Sequence, residues 1–246
     1  MIVYVHGMGD HSPAEKAQWD KALGISGSHS HWCHYADILK EDESINTFVA
    51  ELHAEMSPRI QATEGFLPDS VNRVIMRYFT RIFIPQVFSY FYTSDRGEII
   101  KRLADLLREV RSQMKSGDPL VVIGHSLGSI VAYETLCDHP GFNADLLITI
   151  GSPLGLETVQ AELRKQYKIL TRPPGTLYWE NFADPLDVVC ADNTVADEYK
   201  GDYIFDNTVA NINRAATGYY GPHSGTGYLS TAVVRELVKT YEEDQS

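Results

Sequence analysis

The residues Gly124-His125-Ser126-Leu127-Gly128 have the form G-x-S-x-G and stand between Leu120-Val121-Val122-Ile123, which reads as a buried strand, and the helical run Ser129 to Cys137. A serine on a sharp strand-to-helix turn needs small residues two before and two after it, because larger side chains collide with the neighbouring strand and helix. Such a turn exposes the hydroxyl and aims a helix N-terminus at it, where backbone N–H groups stabilise a developing oxyanion. The five residues alone recur by chance. The strand before and the helix after make the signal specific, and the chemistry it points to is nucleophilic attack by Ser126.

A serine hydroxyl is inert without a base, and in a strand-turn-helix setting of this kind the chain order is serine, acid, histidine. Of the nine histidines only His139 and His223 follow Ser126. His139 falls at the far end of the helix that begins at the serine, where a cation simply complements the dipole and lies a helix length away. His223, in Gly221-Pro222-His223-Ser224-Gly225, precedes the final helix and also follows candidate acids; its bland reading is an exposed loop histidine. The stretch TLYWENFADPLDVV offers Asp184 at a strand end and Asp187 three residues on. Asp187-Val188-Val189 has the form of an Asp-x-Val turn that commonly carries the acid, so Asp187 is preferred, with Asp184 as the alternative and Asp206 a distant third. The carboxylate not used would cap the following turn or helix.

A tetrahedral intermediate needs two N–H donors, one from the residue after the nucleophile and one from a loop after an early strand. Leu127 supplies the first. Ile2 to Val5 reads as that early strand and runs into His6-Gly7-Met8-Gly9, where Met8 would present the second N–H; the alternative is a glycine turn without chemistry. His125 and Ser152 are candidates for the pocket wall. Ser152 lies in Gly151-Ser152-Pro153, which reads equally well as a plain turn.

These residues must be positioned by a scaffold, and apolar runs of strand length alternate with segments of helical period, the pattern of a mostly parallel central sheet flanked by helices. Besides the strands named, a weaker one is expected at His31 to Tyr35, and further strands at Leu146 to Ile150, Leu177 to Phe182 and Tyr203 to Phe205. Helices are expected at Pro13 to Leu23, over roughly 44 to 115 with breaks near Ser57-Pro58 and Thr93-Ser94, and at Tyr228 to Glu242, where Leu229, Val233, Leu237 and Tyr241 recur in steps of four. No linker composition interrupts the 246 residues, so one α/β domain is expected, with residues 57–95 a helical insert before the strand-helix unit of Ser126. The insert holds Arg73, Arg77 and Arg81 on one helical face among dense aromatics. It reads as a cap over the serine favouring an acyl-chain or lipid-like substrate, as a surface joining copies of the chain, or as ordinary core.

A net charge of −12 argues against nucleic acid or anionic lipid as a partner. The longest apolar stretch, Ile82 to Tyr92, contains Pro85 and Gln86 and is too short to span a bilayer. The first apolar run lacks the charged n-region and cleavage site of a secretory leader. Three widely spaced cysteines, Cys33, Cys137 and Cys190, suggest neither a disulfide framework nor a zinc site, and a reduced, cytoplasmic setting is expected. His29, His31 and Cys33 would share one face of a strand, but without a fourth ligand at a recognisable spacing no metal is called for, nor is any cofactor.

At VYVHGMG, VVIGHSLGS, ITIGSPLG, NFADPLDVV and PHSGTGYL the sequence resembles the α/β-hydrolase superfamily, in particular compact bacterial serine esterases and lipases, and is similar to the core of DDHD-type phospholipases. The resemblance covers essentially the whole chain. It implies an α/β-hydrolase fold, a triad of Ser126, Asp187 and His223, Met8 and Leu127 as oxyanion donors, and a sheet that begins at the strand other members number as their third. The helical insert departs from the family pattern. The expected activity is hydrolysis of a carboxylic ester through an acyl-enzyme. Thioester or amide cleavage on the same triad, or a catalytically silent interaction protein on the same scaffold, are the alternatives.

Overall fold

The computed structural model describes residues 1–7, 13–39, 47–63, 83–213 and 221–243. Among them a six-stranded sheet forms the centre: β1 (Ile2–Val5), β2 (Ser30–Cys33), β3 (Val121–His125), β4 (Leu146–Ile150), β5 (Tyr178–Ala183) and β6 (Ile204–Thr208), in the spatial order β2-β1-β3-β4-β5-β6. Every neighbouring pair is parallel, so the sheet is parallel throughout. Parallel strands need crossovers that cover both faces, which is why β1, β3 and β4 are apolar or aromatic with almost no alternation and are buried along their whole length.

The helices are α1 (Pro13–Leu23), α2 (Thr47–Thr63), α3 (Ile84–Tyr92), α4 (Asp95–Gln113), α5 (Leu127–Asp138), α6 (Glu157–Tyr167), α7 (Gly225–Leu229) and α8 (Ala232–Glu243). Period-two strand geometry divides the core in two. Val3, Val5, Val122 and Leu147 face one layer, with α2 to α6. Ile2, Tyr4, Val121, Ile123, Leu146 and Ile148 face the other, with α1, α7 and α8. From β1 the chain first moves outward to β2 and then returns on the other side to β3. In an open parallel sheet this reversal leaves a crevice beyond the carboxyl ends of the two strands, and ligands collect there. Gly7 follows β1 and Ser126 follows β3.

Three expectations are corrected. The break near Ser57-Pro58 is absent: α2 runs through Pro58. A proline inside a helix costs about 3 kcal/mol, but Leu52, Met56 and Ile60 on the same helix are buried, and burial stabilises by roughly 1.5–3 kcal/mol per side chain. The last helix is two pieces, α7 and α8, separated at Ser230-Thr231. That interruption resets the helical phase, so Val234 and Val238 are buried while Val233 is 47% exposed. The second strand begins one residue early and stops at Cys33, because its register with β1 ends at Val5 opposite Cys33.

Of the 57–95 insert, Arg73, Arg77 and Arg81 lie outside the described residues. Its described parts join the main core: Ile60, Phe83, Ile84, Val87, Phe88 and Tyr90 are all buried there. Among the described residues no helix is long and apolar enough to cross a membrane.

Candidate active site

Ser126 links β3 to α5 with φ 54° and ψ −131°. An L-residue at such angles costs on the order of 1–3 kcal/mol and persists only where its surroundings over-determine it. Here they do. The Ser126 amide donates to the Ile150 carbonyl at 3.2 Å, and its own carbonyl accepts from the Ser129 amide at 3.0 Å and the Ser129 hydroxyl at 2.6 Å. The two glycines of the pentapeptide are sterically required. A Cβ on Gly124 would stand 2.6 Å from Ser129 Cα, and one on Gly128 would stand 2.2 Å from the carbonyl oxygens of Val5 and His6. Gly7 closes in from β1, where a Cβ would lie 2.8 Å from that of Ser126. The Ser126 hydroxyl is buried and has no hydrogen-bond partner among the described residues. Leu127 opens α5, where the first-turn amides point out of the helix end. Met8 lies outside the described residues.

The other two candidates meet. His223 Nδ1 stands 2.8 Å from Asp187 Oδ2 and 3.0 Å from Oδ1, with both side chains almost wholly buried. A carboxylate only accepts, so Nδ1 carries the proton, and in the neutral ring Nε2 is the basic nitrogen. The Asp187 carboxylate also accepts from the Val189 amide at 3.0 Å and from the Tyr228 hydroxyl at 2.8 Å. The Val189 bond closes an aspartate turn onto the residue two ahead, the physical content of the Asp-x-Val pattern. Asp184 is occupied elsewhere: it accepts from the Leu186 amide at 2.8 Å and the Asn211 amide at 2.6 Å. A turn between the Asp184 carbonyl and the Asp187 amide, 2.9 Å, sets the two acids on different partners. Asp206 accepts from the amides of Val195 and Ala196 and from Asn181, holding the loop before β6. His139 is at the C-terminal end of the 12-residue α5, on the order of 18 Å from Ser126.

The loop carrying His223 is fastened at three consecutive carbonyls. Asn211 Nδ2 donates to those of Pro222 and Ser224, each at 2.9 Å. His125 Nε2 donates to that of His223 itself at 2.9 Å, which fixes a proton on Nε2 of His125. His125 therefore ties the residue beside Ser126 to the backbone of His223, and its ring stands 4.7 Å from that of His223. The Ser152 side chain is taken up by the Leu154 amide at 3.2 Å and Ser129 Oγ at 2.7 Å. Since the single Ser129 proton goes to the Ser126 carbonyl, Ser152 donates to Ser129. Ser152 thus braces the serine turn from below.

No protein-family profile matches the chain, and no curated protein does either.

Four residues of the site escape sequence reasoning. Tyr228 looks like the first apolar position of a helix, yet its hydroxyl joins the two acids: besides donating to Asp187 it accepts from the Asp184 amide at 2.9 Å. Burial, and then the Asp187 charge, push its phenol well above the ordinary range, so the donor proton stays in place. Asn211 sits in the unremarkable run Ala210-Asn211-Ile212. Gly151, at φ 53°, lies against Asp187 and His223 so closely that a Cβ would be 2.9 Å from Asp187 Oδ2 and 3.0 Å from His223 Nδ1. Arg59 reaches from α2 to the carbonyls of Pro185 and Ala191 at 2.9 and 2.6 Å, the two ends of the loop bearing Asp187. Asparagine after a strand and glycine at a strand end are the faint signals available for two of them; nothing local marks Tyr228 or Arg59.

The His29, His31 and Cys33 face has a different character. Among the described residues no three histidine, cysteine or acidic side chains are placed to hold a metal ion. Burial pushes the Cys33 thiol up to about 12, as expected of a core thiol.

Proposed function

We propose that the chain is a serine hydrolase of the α/β-hydrolase type that cleaves a carboxylic ester through an acyl-enzyme. The observation that carries the reading is Ser126 in a positive-φ turn at the sheet's reversal point, with a buried His223–Asp187 pair fastened to the neighbouring residue, His125. His223 Nε2 takes the Ser126 proton as Oγ attacks the ester carbonyl. The Leu127 amide, at the positive end of α5, and the Met8 amide hold the oxyanion. Collapse expels the alcohol, protonated by His223, and leaves the acyl group on Ser126. Water activated by His223 then releases the acid. Asp187 holds Nδ1–H and stabilises the imidazolium that forms in each half-reaction. The strain at Ser126 has a role in this reading, since it keeps the hydroxyl clear of its own helix.

Labelling with a fluorophosphonate probe tests the assignment. The wild type is expected to take one label, lost in Ser126→Ala with the fold intact. A folded wild type that stays unlabelled and hydrolyses no p-nitrophenyl ester refutes it.

A further inference from the structure

Asp187 is held by more than its histidine. Its Oδ2 faces His223 Nδ1 and the Tyr228 hydroxyl, both at 2.8 Å, and its Oδ1 accepts the Val189 amide. The Tyr228 oxygen is itself fixed, because it accepts the Asp184 amide at 2.9 Å. A phenol has one proton, and the available acceptors are a carboxylate oxygen at 2.8 Å and the Cys190 sulfur at 3.7 Å. The carboxylate is by far the better acceptor, so the proton goes to Asp187. Tyr228 is fully buried, its ring lies against Gly151, and no part of it reaches solvent.

Resting on the Ser126, Asp187, His223 reading, we propose that Tyr228 is a positioning residue of this hydrolase: its hydroxyl holds the Asp187 carboxylate toward His223 Nδ1 and withdraws charge from the oxygen that the histidine uses. Tyr228 acts through Asp187 and touches neither substrate nor the reacting atoms. Tyr228 and Asp187 are 41 residues apart, so the contact links α7 to the acid loop. The sign of its electrostatic effect follows from hydrogen-bond competition. A donor on the carboxylate reduces the charge felt by the imidazole, so removing it favours the imidazolium form in the reaction and moves the acidic limb of the rate up in pH. Among the described residues, the titratable and charged groups around this pair are Asp184, Cys190 and His125, with Arg59 on the loop carbonyls. All of them stay unchanged in the variants below.

The test compares wild type with Tyr228→Phe, which keeps the ring and removes one oxygen, on a p-nitrophenyl ester well below the thermal midpoint. The expected kcat falls about 10-fold with KM little changed, a loss in keeping with a small misplacement of the acid. The acidic limb of kcat/KM is expected to move up by about half a pH unit. A merely structural role lowers the thermal midpoint and moves neither the limb nor kcat, and that result overturns the proposal. Should Tyr228→Phe not fold, 3-fluorotyrosine placed at position 228 alone is the second variant. Its more acidic phenol is a stronger donor, so the limb moves down; an unmoved limb again overturns the proposal. Fluorophosphonate labelling of Ser126 runs in parallel. An unlabelled wild type brings down the hydrolase reading itself, whereas a labelled wild type with an unchanged Tyr228→Phe profile brings down only the role of Tyr228.

Discussion

Replacing Gly151 by alanine drives a methyl group into the contact between Asp187 and His223. The added Cβ would stand 2.9 Å from Asp187 Oδ2, 3.0 Å from His223 Nδ1 and 3.1 Å from Tyr228 Cε2. Heavy atoms at rest sit roughly 3.5 Å or more apart, so the overlap is about 0.4–0.6 Å at three atoms at once. None of the three can swing away freely, because each is buried and hydrogen-bonded within the same network or packed in the core. Position 151 also has φ 53°, which costs an L-residue about 1–2 kcal/mol. With roughly 1–3 kcal/mol for overpacking, Gly151→Ala is expected to lose about 2–5 kcal/mol of stability. In a domain of this size that lowers the thermal midpoint by roughly 4–20 °C. A misplacement of about 1 Å at a catalytic pair costs on the order of 100-fold, so a shift of a few tenths of an ångström is expected to lower kcat about 10-fold. KM should change little, since no substrate contact is removed. The assays are a thermal melt and p-nitrophenyl ester kinetics well below the variant's midpoint. A variant that melts early but keeps full kcat shows that the Asp187–His223 pair does no work in the reaction. A variant unchanged in both measurements refutes the packing itself.

The two acids separate by parallel substitution: Asp187→Asn is expected to lower kcat about 10⁴-fold by leaving His223 in the wrong tautomer, while Asp184→Asn chiefly destabilises, because one of the two oxygens that accept the Asn211 and Leu186 amides becomes an NH2 donor facing an N–H. A larger kcat loss at Asp184, measured on folded protein, refutes the assignment. Burial raises the thiols of Cys33 and Cys137 from an ordinary value near 9 to about 12, and that of Cys190 well above it. The fold therefore favours the protonated thiols, a contribution complete below pH 9 and lost as pH rises from 9 toward 12. Urea midpoints at pH 8 and 10.5 should fall with pH, and a thiol reagent at pH 8 should reach the buried Cys33 and Cys190 only on unfolding; a midpoint that rises with pH contradicts this.

Signals carried by neighbours in sequence were legible without coordinates. The apolar runs at Ile2–Val5, Val121–His125 and Leu146–Ile150 are strands because burial on both faces demands them. Gly124 and Gly128 announce the serine turn because the exclusion they relieve acts within a few residues. The Asp187-x-Val189 pattern belongs to the same class, since its defining bond spans two residues. Helix limits were less legible. Pro58 stays inside α2 because burial outweighs the missing amide, and the phase of α8 depends on an interruption at Ser230-Thr231 that no apolar spacing marks.

By itself, then, the sequence determined a parallel α/β core, a serine on a strand-to-helix turn, and a short choice of acids and bases. Tertiary structure alone decided that Asp187 rather than Asp184 meets His223, that Asn211 and His125 fasten the histidine loop, and that Tyr228 and Gly151 press on the pair. The reason is the range of the interactions. Hydrophobic periodicity and turn sterics are properties of adjacent residues, whereas Asp187 meets His223 across 36 positions, Tyr228 across 41, and Asp184 meets Asn211 across 27. A directional hydrogen bond between such residues exists only once the sheet order has brought their loops to the same edge.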